Sequence, residues 1–459
     1  MHHFSNNTMS FLRTTGHALN LAVSFIVFSI LDVLDIILCY VYKIIDYAIE
    51  SEWKQCYCTA GKDAIIMPEA VGPKVLHVSC KKLQVEDVSD TLYERASVVM
   101  DMSRKPVEPT PATFKVSWAI AEMIRGKMDR QKPKERRIPC WSDCDCNVCN
   151  SWSCESAGSS TLYVHVEGPE DKSEIKENIV FIHGFISSSA FWTETVFPVL
   201  SETTRSSHRL FAVDLLGFGR SPKPADSLYT LREHVEMIEK SVIQKYKIKQ
   251  FHIVAHSLGS VLALALAVKY PDAIKSLTLL SPPYFPVPKG EEAAASQYVM
   301  RQVAPRRVWP PIAFGASMAC WYEHVSRTIC LTICKHHRIW NFIFKTLTRN
   351  RMKTYLIEAF MCHTHNAAWH TLHNIICGSP TKMERYLDIV RDKLSCTVNV
   401  FHGEHDELVP VECSHAVGSK IPRARVKVYE KKDHITVIVG QERLFARELE
   451  EIWRNASSK

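Results

Sequence analysis

The sequence lacks a strong charge of either sign. Lys and Arg number 56 against 49 Asp and Glu, for a net charge of +7 over 459 residues. That is far from the dense basic character of nucleic-acid binders, so no nucleic-acid partner is expected, although anionic membrane surfaces remain compatible. A second cysteine pair to match Cys146-x-x-Cys149 is missing at finger distance, which sets a zinc finger aside. No carboxylate stands at convincing ligand spacing from His363, His365, His370 and His373. They read as packed or solvated histidines rather than ligands. Neither a metal nor a cofactor is expected.

Long apolar runs are few, and one lies near the N-terminus. Leu19 to Leu31 is almost wholly apolar, after which Asp32, Asp35, Cys39, Lys43, Asp46 and Glu50 recur at spacings of three and four. They form one stripe of a single helix. An aspartate at mid-bilayer costs roughly 2.5–3.5 kcal/mol on insertion scales. The pattern therefore suits a signal anchor, or a helix that enters the membrane and runs along it, better than a simple central span. Residues 1–60 are read as this targeting or anchoring unit, a signal anchor or a signal peptide, which points to the secretory pathway and a membrane surface.

Residues 61–160 read as a connecting region. Helices are expected over 83–102 and 114–128, and a basic run, KMDRQKPKERR, follows at 127–137. Of the chain's 16 cysteines, five crowd between Cys140 and Cys154. Clustering of this kind points to disulfides in an oxidising compartment ahead of metal.

From residue 161 the rhythm becomes strand, helix, strand. Strand-like runs at 162–166, 179–182, 210–213, 251–255, 277–280, 398–401 and 426–429 alternate with helical stretches, of which 187–200, 230–246 and 441–453 are the clearest. This predicts an α/β fold with a mostly parallel sheet covered by helices on both faces. The rhythm stops over 284–395, a stretch rich in tryptophan, histidine and basic residues. It reads as a helical cap inserted into a core formed by 161–283 and 396–459. Ligands in such sheets bind beyond the carboxyl ends of the strands.

At one of those ends stands Ala255-His256-Ser257-Leu258-Gly259, between a buried strand and an apolar helix. Strand, tight turn and helix are what a nucleophile elbow requires, with Gly259 allowing strand and helix to approach and Ala255 where the pattern has its first glycine. A serine hydroxyl needs a base, and the base needs an acceptor to fix its tautomer. His434 and Asp406, each just beyond a strand, complete the order Ser…Asp…His. Glu404 and Glu407 are rival carboxylates. His256 and His183 are rival bases. The oxyanion would be held by the Leu258 N–H and the Phe185 N–H, the latter from the loop His183-Gly184-Phe185. Losing one such donor costs about 2.7–4 kcal/mol of transition-state stabilisation.

From residue 162 onward the chain resembles the α/β-hydrolase fold superfamily, through His183-Gly-Phe185, Asp214-Leu-Leu-Gly-Phe-Gly-Arg-Ser221, the elbow, Gly403-x-x-Asp406 and Asp433-His434. The whole chain is similar to the plant BODYGUARD family, through the N-terminal helix, the cysteine cluster, the run His183 to Trp192 and Ser281-Pro-Pro-Tyr-Phe-Pro286. That resemblance implies a cuticle-forming protein exported toward the epidermal wall, acting on lipid acyl esters as a lysophospholipase-like serine hydrolase. Serine at the elbow speaks against the epoxide hydrolases and dehalogenases of the same fold, which use aspartate there. The H-x-x-x-x-D signature of acyltransferases is missing after His434, where Val439 stands in place of the aspartate. A cutin-building acyltransferase and a non-catalytic receptor or scaffold are the competing readings. The oligomeric state is not legible.

Overall fold

The computed structural model describes residues 2–50, 87–92 and 161–457, except 172, 225–226, 348 and 350–352. The basic run, the cysteine cluster and the expected helix over 114–128 lie outside the described residues, as does most of that over 83–102. Residues 90–92 form a single 3-10 turn.

Among the described residues, seven strands make one sheet in the order β1-β3-β2-β4-β5-β6-β7. They are β1 (Val164–Glu167), β2 (Glu177–Ile182), β3 (His208–Val213), β4 (Phe251–His256), β5 (Ile274–Leu280), β6 (Thr397–Gly403) and β7 (Arg425–Tyr429). Only β1 is antiparallel, pairing Val164 with Val213; all other pairs are parallel. Each expected strand is present; six are extended by one to three residues at one or both ends, while the first begins at Val164, two residues later than expected, and ends at Glu167, one later. The central strand β4 is buried at every position, so both its faces are covered.

The helices follow their sequence signals less closely. Thr230 starts the helix Leu231–Ile238 with a reciprocal capping box to Glu233. The stretch over 187–200 is not one helix. It breaks into a short turn, Ala190–Thr193, and a 3-10 turn, Phe197–Val199. Pro198 sits in the first turn of the second segment, where its ring is at odds with one continuous helix, and Phe191, Trp192, Val196 and Phe197 all pack into a core shared with Phe181 and Trp453. The buried helix Leu258–Lys269 leaves no residue from Leu258 to Ala267 exposed.

Between β5 and β6 the described chain is helical. Ala295–Val303, Pro311–Trp321, Glu323–Ile333, His337–Leu347, Thr354–Met361, His365–Thr371 and Pro380–Lys393 are its main helices. Two apolar clusters join this insertion to the sheet ends. Met300, Ala304, Cys320, Leu372 and Cys377 pack against Phe185, while Val299 and Phe285 pack against Val409 and Cys413.

The N-terminal helix His2–Glu50 lies against the insertion. Its acidic stripe faces inward. Asp35 accepts hydrogen bonds from the backbone N–H groups of His324 and Val325 at 2.8 and 3.1 Å. It therefore caps the helix Glu323–Ile333, which has no side-chain cap of its own. The Tyr322 hydroxyl donates to Asp32 at 2.9 Å, and Arg327 forks onto Asp46 at 2.9 and 2.6 Å. Thus the aspartates that interrupt the apolar run are satisfied by protein. The opposite face leaves Ile26, Ile30, Val33, Ile37 and Ile44 exposed. The segment Ala18–Ala48 has a mean hydropathy of 2.5 and is long enough to cross a membrane.

Candidate active site

Ser257 occupies the turn between β4 and the helix Leu258–Lys269. Its backbone takes φ 52° and ψ −122°, a region costly for any residue with a Cβ. The surroundings enforce it. The Ser257 N–H donates to Leu280 O at 2.7 Å, and its carbonyl accepts from Ser260 N–H at 2.8 Å. A Cβ on Gly259 would stand 2.7 Å from the carbonyl oxygens of Ile182 and His183, so glycine alone permits the helix to start this close to β2. Gly184 is similarly confined, since a Cβ there would lie 2.9 Å from His256 Nδ1 and 3.1 Å from Ser257 Cβ.

His434 follows β7 and Asp406 follows β6. His434 Nδ1–H donates to Asp406 Oδ2 at 2.7 Å. The other carboxylate oxygen accepts from the N–H groups of Leu408 and Val409 at 3.0 and 2.9 Å. Burial alone would raise the Asp406 carboxyl. Hydrogen bonds from His402 and His434, with the Val409 N–H, outweigh it and hold the group well below the usual carboxylate range. The rivals stand apart. Glu404 and Glu407 are exposed, and Glu404 accepts from the Lys431 N–H instead.

The rival bases are also occupied. His256 Nε2 bonds the carbonyl of His434 at 2.9 Å, and its ring stacks on Phe191 at 4.9 Å. Burial pushes its pKa down to about 3, so it is a neutral strut joining the serine turn to the histidine loop. His183 Nδ1–H donates to Gly184 O at 2.7 Å, and Nε2 accepts the Leu215 N–H at 3.0 Å. Burial lowers its pKa too, and both ring nitrogens are consumed in shaping the loop. Among the described residues, the N–H groups of Leu258 and Phe185 have no hydrogen-bond partner, nor has the Ser257 hydroxyl. Ser257 and His434 are 6% and 8% exposed, beneath the helical insertion.

Three further residues hold the site together. His402 lies wholly buried, with Nε2 2.8 Å from Val409 O and 3.3 Å from Asp406 Oδ2. It braces the acid turn from behind. Gly403 lets the acid and histidine loops meet, because a Cβ there would lie 2.5 Å from Lys432 O. Asp214 accepts from the N–H groups of Ser189 and Arg220 at 2.5 and 2.7 Å, tying two strand-end loops together. Gly403 and Asp214 belong to motifs the sequence already displays, whereas His402, inside β6, carries no local signal of its role.

A family model described as the alpha/beta hydrolase fold matches residues 177–441. The chain is 56% identical to "Probable lysophospholipase BODYGUARD 3" of Arabidopsis thaliana, over 96% of this chain and 97% of that protein. The chain belongs to the BODYGUARD family of α/β-hydrolase-fold proteins. A second member, "Probable lysophospholipase BODYGUARD 1" of the same plant, is 51% identical over 96% of this chain and 98% of its own length. The family and its fold make this chain a hydrolase by kinship. A solved esterase from Exiguobacterium antarcticum aligns over 64% of this chain and 95% of its own, at 16% identity and a TM-score of 0.45.

Proposed function

We propose that the chain is a serine hydrolase of lipid acyl esters, lysophospholipase-like and active in forming the plant cuticle. The observation that carries this reading is the His434–Asp406 hydrogen bond at 2.7 Å beside a serine held in a strained strand-to-helix turn. Ser257 Oγ attacks the acyl carbonyl while His434 Nε2 takes its proton. The carbonyl oxygen becomes an oxyanion that accepts hydrogen bonds from the N–H groups of Leu258 and Phe185. On collapse, His434 returns the proton to the departing alkoxide, leaving the acyl group on Ser257. Water, activated by the same imidazole, then releases the acid. An acceptor hydroxyl in place of water would make the chain an acyltransferase; no separate machinery is required.

The acyl chain would lie against the apolar cluster of Met300, Leu372, Cys377 and Phe185, where the insertion meets the oxyanion loop. Each buried methylene adds about 0.8 kcal/mol, so a long chain supplies much of the binding energy. We further propose that residues 284–395 act as a cap. The exposed apolar face of the N-terminal helix would then hold the protein at a membrane surface within the secretory pathway. Purified protein assayed on soluble p-nitrophenyl esters should show kcat/KM rising beyond butyrate. It should release fatty acid from lysophospholipid, with Ser257→Ala inactive on both. A flat or falling length profile overturns the lipid pocket, and turnover by Ser257→Ala overturns the nucleophile.

A further inference from the structure

Cys330 and Cys334 stand one helical turn apart at the end of the helix Glu323–Ile333, and His363 follows the helix Thr354–Met361. All three are buried, and their ligand atoms lie within 4.8 Å of one another. Cys330 Sγ is 3.6 Å from His363 Nε2. Zn–S and Zn–N bonds of about 2.3 and 2.05 Å at a tetrahedral angle place sulfur and nitrogen about 3.6 Å apart. We propose that Cys330, Cys334 and His363 bind a Zn²⁺ ion. Two thiolates and a divalent cation make a neutral unit, which suits a buried position. Thiolate and imidazole donors together favour zinc over the oxygen-seeking cations. An exogenous ligand fills the fourth position.

The site has a purpose in the fold. His363 forms an isolated β-bridge with Phe218, whose ring meets Phe185 edge-on at 6.0 Å. A metal here ties the helix Glu323–Ile333 with its N-cap Tyr322, and through Tyr322, His324 and Arg327 the N-terminal helix, to the loop beside the oxyanion donor. No local spacing in the sequence reveals this set, since His363 lies 33 residues from Cys330. The expectation that no metal is bound came from the histidines and the Cys146 pair taken separately.

Two thiols and a neutral imidazole would instead hold one another by hydrogen bonds alone, with Cys330 Sγ–H donating to His363 Nε2. Metal content separates the two arrangements. Full-length protein produced with zinc in the medium and dialysed without chelator is analysed by plasma mass spectrometry. The Cys330→Ser/Cys334→Ser variant should carry about one zinc fewer per chain than wild type. Cys146→Ser/Cys149→Ser should leave that ion in place, and His363→Cys should retain it where His363→Phe does not. Where a variant fails to fold, Co²⁺ titration of the wild type replaces it, with thiolate-to-cobalt charge-transfer absorption expected. Equal zinc in wild type and the Cys330→Ser/Cys334→Ser variant, loss of the metal only with Cys146, or no such absorption overturns the site.

Discussion

Replacing Asp406 by asparagine keeps the shape of the side chain and removes its charge. In the native protein Oδ2 accepts the His434 Nδ1 proton, and Oδ1 accepts two backbone protons that fix the turn. An asparagine keeps its oxygen on the N–H groups of Leu408 and Val409, because an amide NH₂ cannot accept from them. Its NH₂ then faces His434 and forces the imidazole to place its proton on Nε2, where it can no longer receive one from Ser257. A wrong tautomer of this kind lowers kcat by about 10⁴, or about 5.4 kcal/mol. Stability should respond with its own pH signature. The depressed Asp406 pKa means that the native state binds fewer protons than the unfolded chain below about pH 4. Its contribution is complete above that range and is lost as pH falls toward the depressed value. Asp406→Asn should therefore flatten the acid limb of a melting-temperature profile while kcat falls at all pH values. Stopped-flow hydrolysis of a soluble ester and calorimetry across pH provide both readings. A folded Asp406→Asn protein that loses less than about tenfold in kcat refutes the tautomer argument, as does inactivation by Glu404→Gln.

Other perturbations follow from the same geometry. Ser257→Gly should abolish activity and stabilise the fold by about 1 kcal/mol, since relief of roughly 1–3 kcal/mol of backbone strain exceeds the entropy glycine adds to the unfolded chain. Chemical denaturation reads this, and a destabilised Ser257→Gly would contradict it. Gly259→Ala should prevent folding or cost several kcal/mol, because its methyl meets backbone carbonyls rather than a movable side chain. Burial would lower the His324 pKa, but hydrogen bonds to Asp35 and Cys39 raise it to about 9. The stability this adds is complete below about pH 6.5 and vanishes as pH rises through about 9. Asp35→Asn should thus lower the melting temperature at pH 6 far more than at pH 10, and an equal loss at both would refute the pairing. Ile30→Asp, on the exposed face of the N-terminal helix, should weaken retention on lipid vesicles without changing turnover of soluble esters.

The core was legible because its signals are local. Each buried strand is a short apolar run, and the elbow is five contiguous residues whose small side chains follow from steric demand. Ser257, Asp406 and His434 could be put forward as candidates because parallel topology brings the carboxyl ends of β2 to β7 to one edge. What escaped depends on distance. His402 braces Asp406 only because the turn after Gly403 brings the carboxylate within 3.3 Å of its ring, and the acidic stripe of the N-terminal helix acquires its meaning from Tyr322, His324 and Arg327, 281 to 290 residues on. The helix expected over 187–200 was overridden by burial, since Phe191, Trp192 and Phe197 pack better from two short turns than from one straight helix.

The central claim is that Ser257 is an activated nucleophile, and labelling by a fluorophosphonate tests it most directly. Intact protein should gain a single adduct that peptide mass spectrometry assigns to Ser257. The adduct should be absent from Ser257→Ala and form far more slowly in His434→Ala. A well-folded protein that takes no label, or takes it at another residue, would contradict the account.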